Sequence, residues 1–264
     1  MNIIAIDIGN SSIELGLFVG DKVEPVQCIA GVEKAHLKQA ICAAWIKIPL
    51  VTRSTEGKRD GVIVVCSVQP AWTEMIREIA REALDERIYV IGDDIPVQIE
   101  SSQVNIAKVG TDRLVAATAA FTMFEKAAVI IDIGTAITID LIDGKGQFEG
   151  GVIFPGFELG ARALHEHTAQ LPKIAVKRPA GPWGKNTQDA MNCGLYYAAI
   201  GAIEEIIRRF SEVLGAWPQT ICTGSGAELI REDCQFIDSY VPHLVVTGIV
   251  LTYKDYMEMD RELV

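Results

Sequence analysis

Ile6-Asp7-Ile8-Gly9-Asn10-Ser11, near the start of the chain, is echoed by Ile131-Asp132-Ile133-Gly134-Thr135-Ala136 at its midpoint. Each copy follows an apolar, β-branched run: Ile3-Ile4-Ala5 before the first, Val129-Ile130 before the second. Each leads into another β-rich stretch, residues 13–18 and 137–142. The pattern reads as strand, carboxylate, tight glycine turn with a small polar residue, and second strand. Two such hairpins half a chain apart imply two related domains facing a common cleft, each offering one carboxylate and one set of turn amides. That pairing suits a metal-complexed polyphosphate: amides and small hydroxyls meet phosphate oxygens, and carboxylates hold the cation directly or through water. The bland alternative for either copy is an ordinary hairpin turn, because Asp and Gly suit turns for backbone reasons alone. The doubling favours a site, and so does the cost of an uncompensated carboxylate at the end of a core strand.

A chain of 264 residues has room for one large domain or two moderate ones, and 49% hydrophobic residues suffice for a real core. A net charge of -11 argues against nucleic acid or an anionic membrane as partner, but not against a nucleotide, which needs only local positive potential and a cation. Cys28, Cys42, Cys66, Cys193, Cys222 and Cys234 form no C-x-x-C pair, and most lie in apolar runs. They read as reduced core residues. His165 and His167 are two apart, poor ligand spacing, and read as a solvated helix end rather than part of a zinc site. The first residues are strand-like, with no secretory pattern, and no apolar run is long enough to span a membrane, so the cytoplasm is the expected compartment.

Strands are expected at 2–7, 12–18 and 23–30, with a turn at Gly20-Asp21, then a helix at 33–47 and a charged, exposed loop at 53–60. A strand at 61–68, a helix at 71–84, a short strand at 87–91 and a helix at 111–126 follow. The second half repeats the opening with strands at 128–132, 136–142 and 147–154, the last two joined by Asp143-Gly144-Lys145-Gly146. Helices at 157–169 and 187–215, a strand at 220–223, a short helix at 228–233 and a final helix at 242–259 complete it. The order βββαβα thus occurs twice, which predicts mixed sheets with helices on both faces. The expected domains are 1–118 and 119–264, joined without a floppy linker.

Further motifs fall between and after the two echoes. They are Gly110-Thr111-Asp112-Arg113, Gly150-Gly151-Val152-Ile153-Phe154-Pro155-Gly156, Leu171-Pro172, Gly184-Lys185-Asn186-Thr187 and Thr223-Gly224. With Asp7-x-Gly9-Asn10-Ser11 and Asp132-x-Gly134-Thr135-Ala136-x-Thr138-x-Asp140, this order resembles the type III pantothenate kinases. They belong to the superfamily of acetate kinase, sugar kinases, Hsp70 and actin. The resemblance spans most of the chain. It implies an α/β fold of duplicated RNase H-like (actin-like ATPase) domains with a central cleft that holds ATP. It also implies phosphorylation of pantothenate to 4'-phosphopantothenate, the first step of coenzyme A biosynthesis.

Carried over residue by residue, the resemblance makes Asp112 the general base and assigns Gly110, Thr111, Arg113 and Thr187 to the pantothenate site. There the Arg113 guanidinium suits the substrate carboxylate. Asp7 would hold Mg²⁺, through water, beside the phosphate track of Gly9, Asn10, Ser11 and Ser12. Thr135 and Gly224 would meet ATP, and Asp132 would hold K⁺ or NH₄⁺. Without the resemblance, Asp112 reads as a helix cap beside a surface arginine, and Asp140 as a turn-edge surface acid. Lys185 belongs to no P-loop, since Gly-x-x-x-x-Gly-Lys-Ser/Thr is absent. The chain departs from the family pattern at Ser11, where Thr is commoner, and at Ser225, where a second Gly is usual. Residues 95–108 also lack the aromatic that packs on pantothenate in the family. The resemblance further implies a homodimer with the active site at the interface. Two other readings stand beside it: a kinase of another small alcohol, and a non-catalytic regulatory relative of the kind described as transcription accessory factors.

Overall fold

The computed structural model describes residues 1–20, 22–30, 33–52 and 57–262. Asp21 of the expected Gly20-Asp21 turn and residues 53–56 of the expected charged loop lie outside the described residues. The chain forms two compact units. The first comprises Met1–Ile99, Ile106–Ala119 and His243–Val264; the second comprises Glu100–Asn105 and Ala120–Pro242. This division differs from consecutive halves at 1–118 and 119–264, because the last helix packs with the N-terminal sheet.

The first unit opens with β1 (Asn2–Ile8), β2 (Ser12–Val19), β3 (Lys22–Val23) and β4 (Gln27–Ala30). Then come α1 (Lys34–Lys47), β5 (Val62–Ser67), α2 (Pro70–Leu84), β6 (Ile88–Val90), a 3₁₀ turn at Ile106–Lys108 and α3 (Thr111–Phe124), which belongs to this unit as far as Ala119. The expected strand at 23–30 is thus two short ones, both paired with β2. Pro25 lies in the break, where a residue without an N–H cannot serve a ladder. The sheet runs β3-β2-β1-β5-β6, antiparallel across β2 and parallel from β1 to β6.

β1 is buried on both faces, which is why it reads as an unbroken apolar run rather than an alternating one. Ile4, Ile6 and Ile8 face a core with Leu37, Ile41 and Trp45 of α1 and Ile76 and Ile79 of α2. Each such isoleucine contributes about 1.5–3 kcal/mol on burial. The opposite face carries Ile3, Ala5 and Asp7. Across the strands stand Gly16 and Glu14 of β2, and Val64 and Cys66 of β5.

The second unit contains β7 (Ala128–Ile133), β8 (Ala136–Ile142), β9 (Phe148–Pro155), α4 (Phe157–Glu166), α5 (Thr187–Leu214), β10 (Gln219–Thr223), α6 (Ala227–Ile230) and β11 (Ser239–Tyr240). The Asp143 carboxylate shapes the β8–β9 turn by accepting from the Lys145 and Gln147 amides at 2.8 and 2.9 Å. α5 is capped at one end by Asn186, which accepts from the Asp189 amide, and at the other by Gly215 at φ 71°. The sheet order is β9-β8-β7-β10-β11. It matches β3-β2-β1-β5-β6 strand for strand, in both order and sense. The repeat seen in sequence is therefore a repeat of topology.

The final helix, α7 (Leu244–Glu262), packs in the first unit on the Asp7 face of the sheet. Two glycines permit that approach: a Cβ on Gly16 would overlap Val246, and one on Gly248 would overlap the Val115 carbonyl oxygen and lie 2.7 Å from Val115 Cγ1. Backbone cannot yield as a side-chain tip does. Gly248→Val is therefore expected to destabilise the protein by about 1–3 kcal/mol or more, read as an earlier urea midpoint. An unchanged midpoint would mean that α7 does not pack on α3 as described.

Candidate active site

Asp7 occupies the carboxyl end of central strand β1. It is held from both sides, opposite Glu14 in the antiparallel pair and Cys66 in the parallel one. Its Oδ1 atom is buried. The turn after it closes with the Gly9 amide donating to the Ser12 carbonyl at 3.0 Å. Asn10 and Ser11 are exposed at its tip, Ser12 is half-buried as β2 begins, and Asn10 accepts from Gln69 Nε2 at 3.1 Å. A Cβ on Gly9 would meet nothing of the chain nearer than Ser12 O, at 3.4 Å. The chain itself does not demand a glycine there.

Gly110 and α3 place the second carboxylate of this unit. Asp112 lies in the first turn of α3, where its Oδ1 accepts from the Arg113 amide at 2.8 Å. A Cβ on Gly110 would come within 2.5 Å of that same oxygen, so the glycine clears the space the carboxylate occupies. Thr111 begins the helix beside Gly92, which follows β6. Burial pushes the Asp112 carboxyl above its ordinary value, and the Arg113 amide and charge oppose this without cancelling it. Burial also raises the Cys66 thiol well above its usual range, with the Asp7 and Asp112 charges adding to the effect. A fully buried, neutral thiol therefore sits under the influence of both carboxylates.

The second unit repeats the carboxylate and changes its surroundings. Asp132 ends central strand β7, opposite Thr138 of β8 and Thr223 of β10. Its turn closes with the Gly134 amide donating to the Ala136 carbonyl at 3.0 Å. The last paired residues are Ile133 and Ile137 here, against Ile8 and Ile13 in the first unit, so the first turn holds one residue more. Ala136 thus corresponds to Ser12 rather than Ser11, and Thr135 stands exposed in place of Asn10-Ser11. Two glycine loops close on this turn. Gly156 donates to the Thr135 carbonyl at 3.0 Å, and a Cβ on it would overlap the Gly134 carbonyl. Gly224, at φ 88°, would overlap Asp132 Oδ1 and lie 2.6 Å from the Ile133 carbonyl if it carried a Cβ.

The structure brings Asp7, Gly9, Asn10, Ser11 and Ser12 together with Gly110, Thr111, Asp112 and Arg113 in one unit. It brings Asp132, Thr135 and Gly224 together in the other. Thr187 is exposed at the start of α5, and Gly184 presses on that helix's first turn, where a Cβ would overlap the Ala190 amide. Asp140 is not a surface acid. It is 2% exposed in mid-strand, opposite Ile130, and shares a face with Asp132 and Thr138 because i, i+6 and i+8 fall on one side of the β7–β8 hairpin. Cys66, Gln69 and Glu14 escaped the sequence reading, since only strand pairing and loop packing bring them to the turn. Among the described residues, no three His, Cys, Asp or Glu side chains gather to cage a metal ion, and no helix is long and apolar enough to cross a membrane.

Residues 3–209 match the sequence profile of type III pantothenate kinase. The chain belongs to the type III pantothenate kinase family. A type III pantothenate kinase of Dehalococcoides mccartyi is 32% identical over 255 residues, covering 96% of this chain and 97% of that protein. One from Moorella thermoacetica is 32% identical over 253 residues, covering 96% and 98%. Among solved structures, a chain from Campylobacter jejuni described as a Baf family transcriptional activator aligns with TM-score 0.59 at 18% identity, covering 98% of this chain and all of that one. MreB5 of Spiroplasma citri bound to AMPPNP aligns with TM-score 0.51 at 10% identity, covering 100% and 99%. At such identities the likeness is one of fold, and the fold is that of duplicated RNase H-like domains.

In this type III kinase the raised Asp112 carboxyl has a thermodynamic consequence. It keeps its proton to a higher pH folded than unfolded, so folding stability falls as pH rises between the two values and stays lowered above them. Asp112→Asn removes that loss. The variant is expected to melt above the parent at pH 7, by about 2–4 °C for each kcal/mol recovered. The difference should vanish near pH 3 and below. A variant that melts lower at pH 7 would contradict the burial assigned to this carboxylate.

Proposed function

We propose that this chain transfers the γ-phosphoryl group of ATP to the primary hydroxyl of pantothenate, giving 4'-phosphopantothenate and ADP. The observation that carries this reading is the pairing of Asp7 with a raised, half-buried Asp112 around Cys66, in a chain of the type III family. Asp112 takes the hydroxyl proton as the oxygen attacks phosphorus, and ADP leaves with the electron pair of the broken P–O bond. A carboxyl raised by burial is a better base near neutrality than an ordinary aspartate. The transition state is loose, so positioning and charge compensation outweigh the proton transfer.

The Gly9 turn with Ser11 and Ser12, and the Gly134 turn with Thr135, each carry backbone amides and hydroxyls of the kind that meet phosphate oxygens. Neither glycine is required by the chain's own packing, in keeping with a backbone kept bare for a ligand. Arg113 pairs with the pantothenate carboxylate, and Thr187 hydrogen-bonds the same substrate. Asp7 suits Mg²⁺, which keeps most of its water and takes one or two carboxylates plus phosphate oxygens. Asp7 supplies such a carboxylate, and among the described residues no cluster of three or more ligating side chains surrounds it. Asp132, with Gly224 packed on its Oδ1, suits K⁺ or NH₄⁺. When bound, the cations offset negative charge on the phosphates. By family resemblance the working unit is a homodimer with the site at its interface, and the compartment is the cytoplasm. A regulatory role is not favoured, because the Campylobacter chain so described shares only the fold.

Release of ADP should require pantothenate and fall when K⁺ is replaced by Na⁺. Asp112→Asn should lower kcat by about 10²–10⁴-fold while leaving nucleotide binding intact. Turnover of Mg·ATP with another small alcohol but not with pantothenate would replace the substrate. Gly224→Ala should raise the K⁺ concentration needed for half-maximal rate about tenfold or more, because the new Cβ and a forced positive φ disturb Asp132. An unchanged K⁺ dependence would remove Asp132 from the cation site.

A further inference from the structure

Asp7 has a like-charged neighbour. Glu14 stands directly opposite it in the β1–β2 register, and directly opposed residues of an antiparallel pair point to the same face with Cβ atoms about 5 Å apart. Like charges so placed repel each other. Glu14 is not left to face Asp7 alone. His243 lies 2.8 Å away, Nδ1 to Oε2. A carboxylate only accepts, so Nδ1 carries the proton and donates it.

His243 is held where it is at some cost. Its φ is 55°, one of three non-glycine residues among those described with a left-handed backbone. It stands just before α7, whose first turn it helps close as its carbonyl accepts from the Thr247 amide at 3.1 Å. The start of α7 thus brings two favourable influences to Glu14, an imidazole N–H and the positive end of a 19-residue helix. Val246, over Gly16 on the same sheet face, fixes the helix there.

We propose that His243 is a positioning residue for the nucleotide site: by donating to Glu14 it holds that carboxylate toward α7, so that of this opposed pair only Asp7 faces the incoming polyphosphate. The inference rests on the placing of Asp7 at the phosphates given above. Mg·ADP carries net negative charge, so an unrestrained second carboxylate across the strand from Asp7 would repel it. The imidazole acts through Glu14 and does not touch the nucleotide.

The test is equilibrium binding of Mg·ADP by titration calorimetry, which needs no turnover. His243→Gly removes the imidazole at a backbone position glycine adopts readily, so folding is spared. Its Kd for Mg·ADP should rise roughly three- to tenfold, the scale of one close like charge partly screened by water. Adding Glu14→Gln to His243→Gly should restore the parent Kd to within about twofold. His243→Gln, which keeps a donor, should fall between them. A defect that persists in the Glu14→Gln background would mean that His243 serves only to start α7, and would overturn the proposal. So would an unchanged Kd in His243→Gly. A parallel Asp7→Asn variant separates the two levels. If it binds Mg·ADP as the parent does, the nucleotide site itself is misplaced and this inference falls with it. If it binds weakly while His243→Gly binds normally, only the role of His243 fails.

Discussion

The site depends on a carboxylate fixed at the open end of a central strand. In both sheets the first strand is paired on each side, antiparallel to one neighbour and parallel to the other, and an aspartate is among its last residues. Pairing on both sides leaves the backbone no freedom to rotate the side chain off its face, because a shift of one residue would send every apolar residue to the wrong side. The turn that follows closes on itself through the Gly9 or Gly134 amide, next to the carboxylate. Duplication supplies the second set.

Close backbone approach is the second requirement, and glycine satisfies it at several joints. Gly156 and Gly224 press two loops against the Asp132 turn, and Gly110 leaves room for the Asp112 carboxylate. Gly16 and Gly248 let α7 lie on the first sheet and against α3. Most of these positions have in common a neighbouring backbone or functional carboxylate within the space of one methyl group. They hold the site in shape by excluding side chains, whereas Gly9 and Gly134 leave space the chain does not itself fill.

Electrostatics divides the two carboxylates of the first unit. Asp112 lies in a helix's first turn beside Arg113, and both influences favour its charged form. Burial nevertheless prevails, and its carboxyl is raised. Asp7 keeps company with a neutral thiol on one strand and Glu14 on the other, the latter engaged by His243. One carboxylate of this unit is thus raised by burial at the start of a helix, and the other stands at the end of a strand opposite a glutamate that a histidine engages.

The two Asp-Ile-Gly phrases, the βββαβα order and the helices at 71–84, 111–126 and 187–215 were legible because they rest on local signals: β-branched runs, glycine turns and helical periodicity. The span 23–30 read as one strand because the flanks of Pro25 are both β-prone, and the break there was missed. Asp140 misled because its burial comes from β7 and β9 on either side of it. Cys66 lies 59 positions from Asp7 and Glu14 pairs with His243 across 229, and no local pattern joins either pair. The sequence by itself determined which residues form strands and where the carboxylates end them, since short-range sterics and side-chain alternation decide that. Only the tertiary structure decided which neutral, like-charged or donating group stands beside each carboxylate. Strand register and the return of α7 to the first sheet set those neighbours, and both arise from packing between segments far apart along the chain.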